Sequence, residues 1–405
     1  MLIDAAGGTA RLLCHAQDAR AHDTAPAPPT VVAVPVRNEV ERVGACLDAL
    51  AAQEGAGPFG IVLFLNNCTD GTAAQIEARR PFPVPLRVIV REFDGATAGW
   101  ARREAMEAAA AWIESGEDAR DGVLLTTDAD SRVPPDWIAR GLAGLAGADL
   151  VAGRIELDAA EAARLPDALH ARGRREGAYE ALLLELEARL DPDPHDPWPR
   201  HGTHSGATLA VRLRAYRRVG GMPAVTVGED RAFVARLAAV DARLRHDPEV
   251  TVVTSGRLEA RAPGGAADTM RLRCAVPEAP CDPRLEALPR ALFRILWRRR
   301  LRRLHAAGRL RDLGPWAPWL GVPPEEATRI AALPAAGAVL EAVEAASPRL
   351  AHRPLTPRRL TTHIGLARLL LPLVRRADRR TVASPAARTD VTLGRGEREV
   401  AAWTD

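Results

Sequence analysis

The chain has 405 residues, of which 47% are apolar and 26% charged, and its formal net charge is +3. That composition excludes a disordered chain, and so small a net charge argues against a nucleic-acid protein with a global basic field. All 55 basic residues are arginine, which excludes mechanisms that need a lysine, such as a Schiff base or a P-loop.

A Pro/Ala-rich linker at 22–29 precedes an alternation of strands and helices. TVVAVPV (30–36) is a β-branched apolar run that reads as a buried strand. Asn38 is placed to cap a helix with Val40, Val43, Leu47 and Leu50 on one face. GIVLFLN (60–66) is a second strand, and Asp70-Gly71-Thr72 opens a short helix through Ile76. LRVIVRE (86–92), a helix over 101–114 and the strand GVLLTTD (122–128) follow. This rhythm predicts an α/β fold with a doubly wound, mostly parallel sheet, in which ligands sit at the carboxyl ends of the strands. An acidic amphipathic helix over 174–190 leads into DPDPHDPWPRHGTHSG (191–206), which reads as a mobile loop or lid. A helix over 229–239 and HDPEVTVVTSGR (246–257) close the first region. Beyond Arg261 the pattern changes to Arg-rich helices broken by prolines.

Charge divides at the same place. Residues 261–405 hold 26 arginines against 14 acids, a balance of +12, whereas residues 1–260 hold 29 against 38, a balance of −9. Three regions are therefore expected: an N-terminal segment and linker (1–29), the sheet domain (30–261) and an Arg-rich helical region (262–405).

Cys14, Cys46, Cys68, Cys274 and Cys281 are odd in number and form no C-x-x-C pair, so neither a disulfide framework nor a zinc ribbon is expected. Residues 1–20 lack a continuous apolar core for a signal peptide. The longest apolar run, 366–374, is interrupted by Arg368 and is too short to cross a membrane. A cytoplasmic location follows, with peripheral contact at the inner membrane face as the remaining option.

The strongest chemical signal is Thr127-Asp128-Ala129-Asp130-Ser131 at the end of an apolar strand. Residues i and i+2 of an extended segment point to one side. Asp128 and Asp130 can therefore share a hard divalent cation, Mg²⁺ or Mn²⁺, that bridges diphosphate oxygens. The other reading is an acidic turn with capping aspartates. VPVRNE (34–39), NNCTDGT (66–72) and the D-x-D thus put three polar clusters on one rim of one sheet.

At this point the chain resembles the family-two glycosyltransferases with the GT-A fold. The resemblance continues through AGWARREAMEAA (98–109), GATLAVRLRAYRRVGGMP (206–223), GEDRAFVARL (228–237) and HDPEVTVVTSGR (246–257), covering roughly residues 30–261. It implies that Pro35, Arg37 and Glu39 hold the base and ribose of a nucleotide-diphosphate sugar. Asn66 stands where many members have an Asp facing the nucleobase, and an amide can donate as well as accept. Asp70 matches the acid of a T-D-G-T turn, and Arg102 matches a basic residue near the donor phosphates. Asp128 and Asp130 match the metal- and donor-binding acids. Glu229-Asp230 matches the acidic pair near the acceptor, with Asp230 as general base. Inverting transfer needs a carboxylate opposite the leaving nucleotide, and like-charge repulsion can raise the pKa of one of the pair. Acids favoured at a helix N-terminus are the other reading of 229–230. His246 matches a residue that completes the metal site or contacts the diphosphate in some relatives, although a lone histidine is more often structural. Arg257 and Arg261 lie where a cation neutralises a departing diphosphate, or else pair at the surface with acids such as Glu259.

His195, His201 and His204 lie in the 191–206 loop with Asp193 and Asp196, in no standard zinc spacing. Trp198 has two readings, a stacking platform for a sugar and a loop anchor. The segment 292–305 carries Leu292, Ile295, Leu296, Leu301 and Leu304 opposite dense arginine. It either packs on the acidic half or lies on an anionic membrane.

The expected activity is therefore a metal-dependent, inverting hexosyl transfer from a nucleotide-diphosphate sugar to an unidentified hydroxyl acceptor, whether a saccharide, a lipid-linked species or a small molecule. No nucleic-acid partner is expected, since aromatic residues are 4% and no recognition module is visible. One alternative is an inactive glycosyltransferase-like scaffold. The other is a sugar nucleotidyltransferase, disfavoured because no Gly-rich, Lys-bearing loop follows strand one. A dinucleotide oxidoreductase is excluded by the missing G-x-G-x-x-G.

Overall fold

A computed structural model describes residues 10–12, 27–117, 119–259 and 265–383. Cys14, Arg261, most of the linker and the expected boundary at 261 lie outside the described residues. In chain order the first region runs β1 (Ala10–Leu12), β2 (Thr30–Val36), α1 (Val43–Ala51), β3 (Phe59–Asn66), α2 (Thr72–Glu77), β4 (Leu86–Arg91), α3 (Ala98–Glu114) and β5 (Val123–Thr126). It continues with α4 (Trp137–Gly144), β6 (Leu150–Leu157), α5 (Ala159–Ala162), α6 (Asp167–Leu190), β7 (Leu209–Arg212), α7 (Leu213–Arg218), α8 (Glu229–Ala239) and β8 (Leu244–Thr254).

The strands form one mixed, mostly parallel sheet in the order β1-β4-β3-β2-β5-β7-β6-β8. Strands β4, β3, β2 and β5 are mutually parallel, as the alternation predicts. Two strands depart from it. The sequence reading assigns no strand before residue 30, yet β1 pairs antiparallel with β4 at one edge. In the centre β7 runs antiparallel between β5 and β6.

The β2 side chains explain why the sheet is covered on both faces. Val32, Val34 and Val36 pack with Leu47 and Leu50 of α1 and Trp137 and Ile138 of α4. Val31 and Ala33 pack on the other face with Ala105 and Ala109 of α3 and Phe233 and Leu237 of α8. A continuous β-branched run is what a strand buried on both sides requires.

Asn38 does not cap α1. It takes a positive φ of 54° and its Oδ1 accepts from the Thr69 backbone N–H at 2.7 Å, tying the end of β2 to the loop after β3. Asp70 behaves as the turn predicts: Oδ1 accepts from Thr72 N and Oγ1, and Oδ2 from Val40 N.

The helical region comprises α9 (Ala266–Ala275), α10 (Leu288–Ala306), α11 (Ala317–Leu320), α12 (Pro324–Ala331), α13 (Ala336–Ala346) and α14 (Pro357–Ala383). It is not a free appendage. Tyr179, Leu183 and Leu186 of α6 share a core with Leu285, Leu288, Leu360, Ile364 and Leu371. A second core gathers Leu301, Trp316, Leu320, Ile330 and Val343. The segment 292–305, within α10, packs inward: Arg294 binds Glu286, Arg298 binds Glu344 and Arg302 binds Asp191, while Ile295 and Leu301 are buried. Most of its apolar stripe is thereby used in packing, with Leu296, Arg300 and Arg303 left exposed. Among the described residues no helix is long and apolar enough to cross a membrane.

Candidate active site

The topology delivers several strand ends to one rim. Parallel β2, β3 and β5 end there, at Pro35–Glu39, Asn66 and Asp128–Asp130. Strands β6 and β8 run parallel to each other and contribute Ile155, Leu157 and Thr254–Arg257. Because β7 runs the opposite way, its beginning, Ser205–Ala207, reaches the same rim. These residues, with Ala98, Ala101 and Arg102 of α3 and Ala266, Ala267 and Met270 of α9, line a cleft of about 290 Å³.

Arg102 is the hub of the cleft floor. It is buried, and four bonds hold its guanidinium. Nε donates to Glu229 Oε1 (3.0 Å), Nη1 to Thr126 Oγ1 and the Gly206 carbonyl (both 3.0 Å), and Nη2 to Asp128 Oδ1 (2.6 Å). Burial disfavours its charge, but Asp128 and Glu229 outweigh that and hold the pKa above the ordinary arginine value. A Cβ on Gly206 would lie 2.5 Å from the guanidinium, so only glycine lets the chain approach this closely.

A second arginine bridges the other side. Arg257 donates from Nη1 to Glu39 Oε2 (2.8 Å) and from Nη2 to Glu39 Oε1, and Nη2 lies 3.0 Å from Asp130 Oδ2. Its partners are thus acids far away in sequence, and Glu259 is not among them. Glu39 is anchored in turn, its N–H donating to Thr72 Oγ1 at 2.9 Å.

Asp130 is the most perturbed acid of the cleft. Burial first, then the neighbouring Asp128 and Glu39, outweigh Arg257 and raise its pKa to about 7. The acids Glu39, Asp128, Asp130, Glu229 and Asp230 outnumber Arg102 and Arg257. Such an excess of negative charge is what a hard divalent cation would relieve, and two neighbouring carboxylates are the protein share of many Mg²⁺ sites that substrate phosphates complete. Among the described residues no three His, Cys, Asp or Glu side chains gather as a metal cage. The residues therefore fit an ion shared with a phosphate ligand.

Asn66 is fully buried in the cleft wall, and its Oδ1 has no hydrogen-bond partner within the protein. A buried, unpaired acceptor costs about 1–3 kcal/mol, which a ligand donor would offset. Pro35 and Arg37 line the same end, and Arg37 is exposed.

Asp230 and Glu229 do not line the cleft; they sit behind its Ser205–Ala207 wall. Asp230 Oδ2 accepts from Gly206 N (3.0 Å) and Oδ1 from Arg231 N (2.7 Å). Burial and then Glu229 raise its pKa, against the pull of Arg102. Both residues also open α8, as acids at a helix N-terminus.

His246 stands apart from this cluster and does not line the cleft. Its Nδ1 lies 2.8 Å from Asp196 Oδ2, and its Nε2 lies 2.8 Å from His204 Nε2. The loop 191–206 is correspondingly tied down. Asp196 is buried and also meets Arg200 and Arg245, His201 Nε2 lies 3.1 Å from the Ala152 carbonyl, and Arg284 donates to the Gly202 carbonyl. Trp198 remains partly exposed at the tip, and His195 is exposed. The sequence reading missed Thr126, Ser205, Thr254 and Met270. Thr126 precedes the D-x-D, Ser205 and Thr254 fall within the segments 191–206 and 246–257, and nothing in the sequence marks Met270.

The family model described as Glycosyl transferase family 2 matches residues 31–189. Residues 31–189 are a glycosyl transferase family 2 domain. The glycosyltransferase domain so defined contains Pro35, Arg37, Glu39, Asn66, Arg102, Asp128 and Asp130, whereas Asp230, His246 and Arg257 fall beyond the match. Among solved structures, TarS 1–349 from S. aureus is 16% identical, covers 86% of this chain and 91% of its own, and has a TM-score of 0.40. The same protein in complex with UDP-GlcNAc gives 16%, 86%, 92% and 0.42. The mannosyltransferase PcManGT from Pyrobaculum calidifontis, in complex with GDP-Man and Mn²⁺, gives 18%, 80%, 87% and 0.40. No curated protein sequence matches the chain.

Proposed function

We propose that this glycosyltransferase moves a hexosyl group from a nucleotide-diphosphate sugar to an acceptor hydroxyl with inversion, residues 30–261 forming the transferase domain and 262–405 the helical region. The observation that carries this reading is the cleft that the matched segment lines in part, where the unpaired Oδ1 of Asn66 and the carboxylates of Asp128 and Asp130 face one space.

Pro35, Arg37, Glu39 and Asn66 hold the nucleoside end, with Asn66 receiving a base N–H on its free oxygen. Asp128 and Asp130 would hold Mg²⁺ or Mn²⁺, whose charge neutralises the departing diphosphate. Arg102 orients Asp128, and Arg257 orients Asp130 while presenting positive charge to the leaving group. Asp230 takes the acceptor proton on its carboxylate as the acceptor oxygen bonds to the anomeric carbon and the bond to the diphosphate oxygen breaks. Its raised pKa, set by burial and Glu229, supports a base rather than a fixed anion. The position of His246, paired to Asp196 and His204, favours a role in ordering the 191–206 loop over one on the ion.

The test is Asp230→Asn. Transfer, followed as release of nucleoside diphosphate, should fall by at least about a thousandfold while a nucleotide sugar with Mn²⁺ still raises the melting temperature. An Asp230→Asn protein of full activity removes the base assignment. Nucleotide-sugar binding without turnover by the unaltered chain, across a broad acceptor panel, would instead favour the scaffold reading.

A further inference from the structure

The long C-terminal helix α14 is apolar on two sides. Its inner side, Leu360, Ile364, Ala367 and Leu371, is buried against α6 and α10. Its outer side carries Leu366, Leu369 and Leu373 at 44%, 75% and 60% exposure, one to two turns apart on one face. A helix that is apolar all round is normally enclosed, so a triad of exposed leucines on a helix already packed on its other side calls for an external partner.

The charge around the triad selects that partner. Arg359 and Arg376 are exposed on the same face, one before the triad and one after it, neither with a carboxylate partner among the described residues. In α10, by contrast, Arg294, Arg298 and Arg302 are paired inward and Leu296 alone is an exposed large apolar side chain. A second copy of the chain is a poor occupant. The stripe is only about 10 Å long, and three part-exposed leucine side chains offer well under the roughly 800 Å² per partner of a stable interface. In a two-fold dimer the same unpaired arginines would also face one another. An anionic lipid surface satisfies both features, taking the leucines at the acyl boundary and the guanidinium groups among phosphates.

We infer that the outer face of α14 is a peripheral membrane-docking surface for anionic phospholipid, with Leu366, Leu369 and Leu373 as the inserted residues and Arg359 and Arg376 as the phosphate contacts. The helix lies in the interface plane, because no described helix is long and apolar enough to span. The docking is independent of the transfer reaction, since none of these residues lines the cleft.

Co-sedimentation of the full chain with vesicles tests it, using phosphatidylcholine alone and phosphatidylcholine with roughly one-third phosphatidylglycerol. The chain should pellet with the anionic vesicles only, and less so at high salt. Leu369→Glu/Leu373→Glu should lower binding at least about tenfold, and Arg359→Glu/Arg376→Glu by a similar factor, since each arginine near the surface contributes about fivefold. Because all four residues are exposed, unchanged melting curves should show that the variants fold. The proposal is overturned if the chain ignores anionic vesicles or if the leucine variant binds as well as the parent. It is equally overturned if the chain is a dimer that the leucine variant converts to a monomer, because a second copy would then own the face.

Discussion

At the scale of single residues, the cleft is organised by two arginines that hold apart acids which would otherwise repel. Arg102 joins Asp128 at the end of β5 to Glu229 at the start of α8, positions separated by more than a hundred residues. Removing it leaves Glu229 buried and Asp128 part-buried without their cation, and breaking a buried pair typically costs about 3–5 kcal/mol. Arg102→Met should therefore lower stability by about 3 kcal/mol, read by urea unfolding, and abolish the thermal shift given by a nucleotide sugar. A variant of unchanged stability that still binds nucleotide sugar would show that Arg102 is not the hub. The sequence exposed part of this site well. Asp128, Asp130, Glu39 and Asn66 stand at strand ends, where chain direction alone points them to one rim. What could not be read was the pairing. Arg257 and Glu39 are joined across 218 positions, and His204 meets His246 across 42, because spacing says nothing about which distant loops share a corner.

At the scale of elements, strands were legible where a run is buried on both faces and illegible where pairing direction decides the geometry. The predicted parallel order holds from β4 to β5. Nothing in LAVR marks β7 as antiparallel, since its four residues suit either direction. The Asn38 cap failed for a related reason, because its side chain found a partner in the loop after β3 before the helix began. The junction of β6, β7 and β8 is held by Asp149. Its carboxylate accepts from Arg243 N, Nε and Nη2 and from Arg214 Nη2, at 3.0–3.2 Å. Hydrogen bonding by Arg243 outweighs partial burial and lowers its pKa to about 2. The folded value is below the unfolded one, so the contribution is complete above the ordinary carboxylate range and is lost as pH falls through about 2. Asp149→Asn should accordingly cost about 1–2 kcal/mol at neutral pH, with the difference in urea midpoints narrowing below about pH 4 and closing near pH 2. A difference that persisted unchanged in acid would mean the carboxylate charge is not what holds the junction.

At the scale of the whole molecule, the small net charge is an internal cancellation made through one element. Helix α6 lies in the acidic half of the sequence and presents its acids to arginines of the basic half. Glu176 meets Arg273 (3.0 Å), Glu180 meets Arg284 (3.1 Å), Glu185 takes a two-point bond from Arg375 (2.7 Å each), and Asp191, just past its end, meets Arg302. Arg172 reverses the direction by donating to the carbonyls of Pro277, Ala279 and Pro280, and Tyr179 donates to the Glu286 carbonyl at 2.7 Å. At the far side Asp241, just after α8, accepts from the N–H groups of Ala336 and Gly337 at the start of α13, where a Cβ on Gly337 would lie 1.8 Å from the Ala238 carbonyl. The change in composition near residue 261 is thus a change of role within one interlocked body. A chain ended after Glu259 would strip the cover from Tyr179, Leu183 and Leu186, each worth about 1.5–3 kcal/mol of burial, and take Arg375 from Glu185 and Arg302 from Asp191. Losses of that size approach the whole stability of a typical domain, so the shortened chain should be insoluble or melt without a cooperative transition. A soluble truncated chain that melted cooperatively at the parent temperature would mean that the sheet domain stands alone and that the charge pairs across α6 contribute little.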